Sequence, residues 1–330
     1  MKKYKCSVVI VQYNPIWEKL KRTLKSVIGQ QECDYEIVIA DDGSKNPCFD
    51  KTRDFLDKNG FCNYQLISNE NNQGTVKNII SGLEVAQGKY VRVIAPGDML
   101  YSHTTLQKIV SFMDEHSAKE VFGRMAFFTY DEGKINIINK QVPIDLEPYK
   151  KRDRESIKKH LFILGDNISG ASYTWDRDYY LECLMRIAGR VIYLEDCTNA
   201  YTVYDGHDIY FMDEFVTWYE DGTGISTSKN VKWTAILTKD WISFFNEMEN
   251  RYPHDSYIKR TRLYYQMSQK GFLLDKILKN ILFIERYIFS RFMAQAIDDK
   301  KYEQVEKKYI LEYFYEGKRA DDKENERFEY

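Results

Sequence analysis

Apolar residues along the first hundred positions keep two rhythms in turn. Short continuous runs at residues 6–11 ("CSVVIV"), 35–40 ("YEIVIA"), 64–68 ("YQLIS") and 90–95 ("YVRVIA") predict buried strands. Between them, residues 15–28, 49–60 and 75–88 predict helices. The first has Pro15 near its opening turn, and the other two close on Gly60 and Gly88. Ser102 can cap a fourth helix, on which Leu106, Ile109, Val110 and Met113 share one face. Strands alternating with helices predict an α/β fold with a doubly wound sheet, where ligands gather at the carboxyl ends of the strands.

From about residue 119 the rhythm is mixed. "KEVFGRMAFFTY" (119–130), "KINIIN" (134–139) and "RVIYLED" (190–196) read as strands, and the charged stretch 147–160 as a loop leading into a helix. "NISGASYTW" (167–175), a helix from Asp176 and "DIYFMDEFVTWYEDGTG" (208–224) complete this part. After Thr227 the pattern is helical only. The expected organisation is a catalytic domain over residues 1–228 and an all-helical C-terminal extension over 229–330.

Composition narrows the class. A chain of 330 residues, 43% hydrophobic and 30% charged, is globular, and its net charge of −2 gives no pull toward nucleic acid. An aromatic content of 15% suits a sugar-handling surface. The six cysteines are scattered without zinc spacing, which predicts a reduced, cytoplasmic protein. The opening "MKKYKCSVVIVQYN" ends its apolar run too soon for a signal peptide, and no segment reaches the length of a membrane span.

Chemistry first shows at "EIVIADDGSKN". A buried strand delivers Asp41 and Asp42 side by side, and two like charges there need exposure, hydrogen-bond donors or a ligand. Asp-Gly also ends strands as an ordinary turn. "APGD" (95–98) lies at a second strand end, and that convergence favours a site. Two strings carry nothing: "GLEVAQGKY" has the wrong spacing for a phosphate loop, and "GTGIST" lacks the third glycine of a dinucleotide fingerprint.

Taken together, "SVVIVQYN", "IVIADDGS", "NNQGTVKN", "GKYVRVIAPGDML" and "VIYLED" resemble the family 2 glycosyltransferases in order and spacing, over residues 5–225. The resemblance implies a GT-A type, doubly wound mixed sheet. It also implies inverting transfer of a sugar from a UDP-sugar to a hydroxyl on a glycan, lipid-linked or protein-linked acceptor. By resemblance, Gln12 and Tyr13 with Asp41 and Asp42 form the uridine pocket, the ligand's donors offsetting the carboxylate repulsion. Lys77, before Asn78, would face the base or the phosphates, or is a solvated helix lysine. The family's Asp-x-Asp-Asp is reduced here to Ala95-Pro96-Gly97-Asp98. Asp98 then remains to hold Mn²⁺ or Mg²⁺ together with diphosphate oxygens and waters, or else caps a helix. Glu195-Asp196 falls where the family carries its base, with Asp196 in that role and Glu195 positioning. Solvated strand-end acids are the alternative. Trp218, Tyr219 and Glu220 form an acceptor wall or belong to the core.

The tail divides by charge. Residues 257–297 carry eight Lys/Arg against Asp275 and Glu285, and residues 298–330 carry eight against eleven acids. Leu273, Ile277, Ile281, Ile284, Ile288 and Phe292 recur at helical spacing within the basic part. That pattern fits contact with an anionic membrane surface, at the inner face of the cell membrane, or packing on the catalytic domain or in a homodimer. Two rivals to the enzyme reading are a degenerate sugar-nucleotide binder acting as a partner subunit, and another α/β nucleotide enzyme.

Overall fold

The computed structural model describes residues 2–222, 224, 231–270, 273–292 and 304–315. Its N-terminal half is parallel. Strand β1 (Tyr4–Gln12) lies between β2 (Tyr35–Asp41) and β4 (Gly88–Ile94), and β3 (Tyr64–Ser68) flanks β2. The crossovers are α1 (Trp17–Ile28), α2 (Phe49–Lys58) and α3 (Thr75–Val85). Helices cover both faces, so these strands read as continuous apolar runs. Helix α3 lies so close to β1 that a side-chain carbon on Gly82 would come within 2.6 Å of Val9.

Beyond β4 the sheet becomes mixed. Strand β5 (Met99–Leu100) and helix α4 (Thr105–His116) precede the long β6 (Glu120–Asp131) and its hairpin partner β7 (Lys134–Ile138). Two short helices, α5 (Glu147–Lys151) and α6 (Arg154–Lys158), lead by way of a π-helical turn and a short 3₁₀ turn to β8 (Tyr173–Asp176). Then follow α7 (Arg177–Ile187), α8 (Asn199–Tyr204) and β9 (Ile209–Glu220). The sheet order is β3-β2-β1-β4-β8-β6-β9-β5, with β7 on β6. Strand β8 is antiparallel to both neighbours, and β9 runs parallel to β6.

The tail is helical where described: α9 (Val231–Arg251), α10 (Ser256–Lys270), α11 (Leu273–Leu282), α12 (Ile284–Phe292) and α13 (Lys307–Phe314). Phe244, Phe245, Met248 and Ile258 of α9 and α10 share a core with Val9, Val76 and Trp175 of the sheet domain. Helix α13 returns to pack Ile310, Leu311 and Tyr313 against Trp218 and Phe128. The expected boundary at 228–229 lies outside the described residues, as do the end of the basic stretch beyond 292 and most of the acidic remainder. No helix among the described residues is long and apolar enough to cross a membrane.

One expected strand is corrected. Residues 190–196 join no ladder; they form a turn that enters a 3₁₀ helix at Glu195–Thr198. Their backbone bonds go elsewhere. The N–H groups of Ile192 and Tyr193 donate to the Asp240 carboxylate of α9, at 3.2 and 2.7 Å, and the Ile192 carbonyl accepts from Val76 N at 3.0 Å.

Candidate active site

The adjacent aspartates are buried, and the protein itself supplies their donors. Asp41 accepts from Gln12 Nε2 (3.1 Å), Ser44 N (2.8 Å), Ser44 Oγ (2.6 Å) and Ser68 Oγ (3.1 Å). Asp42 accepts from Asn69 Nδ2 (3.1 Å), Gln73 N (2.9 Å) and Gly74 N (2.8 Å). All four carboxylate oxygens are engaged, so hydrogen-bond donors, one of the three compensations open from the sequence, offset the repulsion without the ligand that the family resemblance implied. Asp42 also sits at the positive end of α3, which favours its charge. Gln12 and Asn78 belong to the same brace. Gln12 Nε2 reaches Pro47 O at 2.8 Å, and Asn78 Nδ2 reaches Ala40 O at 2.9 Å. Gln12 Oε1 is buried without a partner. Tyr13 and Lys77 are exposed at this rim, Lys77 Nζ lying 3.3 Å from Gln73 Oε1.

Glu195 and Asp196 are brought to this rim by the segment before them. Gly74 has φ +89°, and a side-chain carbon there would lie 2.2 Å from Ile192 Cγ2. The start of α3, which holds Asp42, is therefore in direct contact with the segment that carries the acidic pair. Asp240 pins it from the other side, as described above. Burial pushes the Glu195 carboxyl up, with the neighbouring Asp196 charge adding to the rise, and burial likewise raises Asp196. Asp196 Oδ1 is buried and has no hydrogen-bond partner. This is an acceptor without a donor.

Asp98 lies in the loop beyond the carboxyl end of β4. Its loop is tied to α1, because Gly97 N donates to Thr23 Oγ1 (3.0 Å) and that hydroxyl donates to Asp98 O (2.7 Å). The side chain keeps a partly exposed edge but is otherwise enclosed, and burial pushes its carboxyl up to about 7. The Arg92 charge opposes that rise, the Glu220 charge adds to it, and the Glu220 backbone N–H donates to the carboxylate. Glu220 itself is paired with Lys19 at 2.9 Å. It therefore borders the Asp98 loop.

Two corrections follow for the expected acceptor wall. Trp218 is fully buried, its Nε1 donating to Tyr101 O (3.0 Å) and its ring stacked on Tyr101, under cover of α13. Tyr219, on the opposite face of β9, is buried edge-on against Phe127. Neither offers a face to a sugar ring.

Sequence reasoning missed Arg92. Its guanidinium is wholly buried beneath this edge, where it donates to Tyr173 O (2.6 Å), Ala171 O and Thr217 Oγ1. It thus joins β4, β8 and β9, and holds the turn at Gly170–Ser172 that abuts Glu195. The signal was one charged residue inside the apolar run "YVRVIA". Asp240 was missed too, although it is an acid on the buried face of α9.

Among the described residues, no group of three or more His, Cys, Asp or Glu could hold a metal by itself. Asp98 is the one carboxylate on the loop after β4, and burial raises it.

The fold is a doubly wound α/β sheet with acids at the carboxyl ends of its strands, where such sheets place their ligands. Residues 7–179 match the family described as Glycosyl transferase family 2, and the chain belongs to that family. It is a glycosyltransferase. An uncharacterized glycosyltransferase of Haemophilus influenzae is 25% identical over 190 residues, covering 54% of this chain and 72% of the relative. The cholesterol galactosyltransferase of Borreliella burgdorferi is 24% identical over 265 residues, covering 76% and 72%. Among solved structures, TarS 1–349 of S. aureus in complex with UDP-GlcNAc superposes with a TM-score of 0.55 at 15% identity, covering 93% of this chain and 92% of TarS. The mannosyltransferase PcManGT of Pyrobaculum calidifontis, in complex with GDP-Man and Mn²⁺, gives 0.51 at 12% identity, covering 93% and 82%. These likenesses establish the GT-A glycosyltransferase fold.

Proposed function

We propose that this glycosyltransferase moves a hexosyl or N-acetylhexosaminyl group from a UDP-sugar to an acceptor hydroxyl, with inversion and with Asp196 as the base. The observation that carries the reading is Asp196 Oδ1, a buried carboxylate oxygen without a donor on a segment pinned against the start of α3. Asp196 keeps a partly exposed edge, where its carboxylate would accept from an acceptor hydroxyl. As its oxygen forms the new bond to the anomeric carbon, its proton passes to Asp196, and the bond to the diphosphate breaks with its electron pair on the leaving oxygen. Attack and departure on opposite faces turn an α-linked donor into a β-glycoside. The Asp196 charge raises the Glu195 carboxyl, so Glu195 is the partner that holds a proton while Asp196 is ionised and able to act as the base. Tyr13 and Lys77 are the exposed groups at the rim suited to the base and the phosphates. A Mn²⁺ or Mg²⁺ ion bound at Asp98 would neutralise charge on the departing diphosphate.

The UDP-GlcNAc bound by TarS supports the donor class, and the GDP-Man bound by PcManGT puts guanosine donors in the test panel. The Borreliella relative's name puts a sterol among the acceptors. Bacterial surface-glycan synthesis on the cytoplasmic face is the setting this chemistry suits. The test is nucleoside diphosphate release from a donor panel with glycan, lipid-linked and sterol acceptors, with Mn²⁺ and with chelator. Release that depends on donor, acceptor and Asp196 supports the reading. UDP binding without turnover across the panel would favour the non-catalytic partner, which the loss of acids at Ala95 and Gly97 suggests.

A further inference from the structure

The apolar positions of α11 (274, 277, 278, 281 and 282) and of α12 (284, 287, 288 and 292) recur at three- and four-residue spacing. That is the stripe an amphipathic helix normally turns toward a core. Here it faces outward. The nine side chains are 43 to 69% exposed, whereas Phe283 between the two helices is buried. The opposite sides of the helices are anchored, which sets the stripe's direction. Phe283 packs edge-on against Tyr264 at 5.0 Å, Phe289 edge-on against His160 at 5.3 Å, and Arg260 bonds Leu282 O at 2.7 Å and Glu285 at 2.8 Å. Packing on the catalytic domain, one of the expectations from sequence, therefore does not cover this face. So extended an apolar surface calls for an occupant.

Charge selects the occupant. The two helices carry Lys276, Lys279, Arg286 and Arg291 against Asp275 and Glu285, and Glu285 is already paired with Arg260. A second copy of this chain across a two-fold axis would set this cationic rim against itself. Beside the stripe lies a cleft of about 250 Å³ lined in part by Tyr264, Asn280, Arg286, Tyr287 and Ser290. Arg286 rests over the Tyr264 ring at 4.3 Å, and no carboxylate pairs with it among the described residues. A guanidinium among hydroxyls and an amide suits a phosphate ester. We infer that α11 and α12 dock the protein on an anionic lipid bilayer, with the stripe in the acyl boundary and the basic rim and cleft on lipid phosphates.

The test is flotation of the full chain with phosphatidylglycerol–phosphatidylcholine vesicles and with phosphatidylcholine vesicles alone. Wild type should float with the anionic vesicles at low salt, and binding should fall about tenfold or more as added salt shortens the screening length. The double variant Ile281→Asp/Ile288→Asp should lower binding about tenfold or more. Its melting temperature should stay within about 2 °C of wild type, because both side chains already face water. Arg291→Glu, at an exposed position, should lower anionic binding severalfold, and it decides the matter should the double variant unfold. Absence of flotation, equal flotation with neutral vesicles, or unchanged flotation of the folded double variant would each overturn the inference. A double variant that converts a dimer to a monomer, with no anionic preference in wild type, would assign the face to a second copy instead.

Discussion

Asp196→Asn should lose activity and gain stability in the same variant. Removing the basic oxygen of a general base lowers transfer by roughly 10²- to 10⁴-fold. The stability gain comes from burial. The Asp196 carboxyl is held above its ordinary range because its charged form is buried, with one oxygen lacking a donor. Each tenfold displacement of an acid constant is about 1.4 kcal/mol carried by the charged form. One to two such steps, allowing for relaxation around the site, amount to about 1.5–3 kcal/mol, or roughly 2–4 °C in melting temperature for a chain of this size. The sign depends on pH. Well below the ordinary carboxyl value near 4, both folded and unfolded wild type are protonated there and the variant gains nothing. As pH rises toward neutral, the unfolded chain releases its proton while the folded chain resists, so wild type loses stability and the neutral amide does not. The difference should therefore grow from pH 4.5 to pH 8. Calorimetric melts at those two values, transfer assays at neutral pH, and UDP titration to confirm an intact nucleotide site make up the measurement. Transfer near the wild-type rate would move the base elsewhere, with Glu195 next in line. A variant less stable than wild type at pH 8 would show that Asp196 is a structural acid.

Asp98→Ala should abolish the metal-dependent tightening of UDP while leaving the fold intact, and calorimetry with and without Mn²⁺ reads this directly; unchanged coupling would make Asp98 only a tie in its loop. Asp42→Ala strands Gln73 N and leaves Gly74 N and the Asn69 amide only their longer bonds, to Asn72 Oδ1 (3.2 Å) and Asn78 Oδ1 (3.4 Å). It should cost about 2–4 kcal/mol in a urea titration, and a loss under about 1 kcal/mol would mean that water replaces the carboxylate. Gly74→Ala places a carbon 2.2 Å from Ile192 at a left-handed φ, so it should displace the 192–196 segment. Transfer should then fall more steeply than UDP affinity, and equal losses would separate that segment from the chemistry.

The parallel half was legible because helices cover both its faces, which leaves an apolar run for each strand and a periodic stripe for each crossover. Met99–Leu100 escaped because two residues cannot carry a period. Residues 190–196 misled for a different reason. Their alternation is that of a strand, but the donors and acceptors that satisfy their backbone are Asp240 and Val76, distant in sequence and close only after folding. Trp218 shows the same limit on side chains. A strand's alternation tells which residues share a face, and here the cover over that face comes from α13, some ninety positions later. The carboxyl-edge acids were visible, but their partners were not. Ser44, Ser68, Asn69 and the opening of α3 converge on Asp41 and Asp42 from the two connections that follow β2 and β3.

Those partners sort the acids by role. Five carboxylates, at residues 41, 42, 98, 195 and 196, lie at strand ends and in turns, and charge alone does not distinguish them. The number of donors does. Asp41 and Asp42 receive seven hydrogen bonds from the protein, so their charges are already matched and serve to shape the rim. Asp98, Glu195 and Asp196 are enclosed, burial raises all three above the ordinary carboxyl range, and Asp196 Oδ1 has no donor at all. A folded chain keeps such a deficit where something else completes it, because the cost would otherwise be removable by a single amide substitution. At Asp98 a cation with a diphosphate would complete it, and at Asp196 an acceptor hydroxyl would. The acids quoted first from the sequence thus build the pocket wall, and the less conspicuous ones hold the unmet valences on which transfer depends.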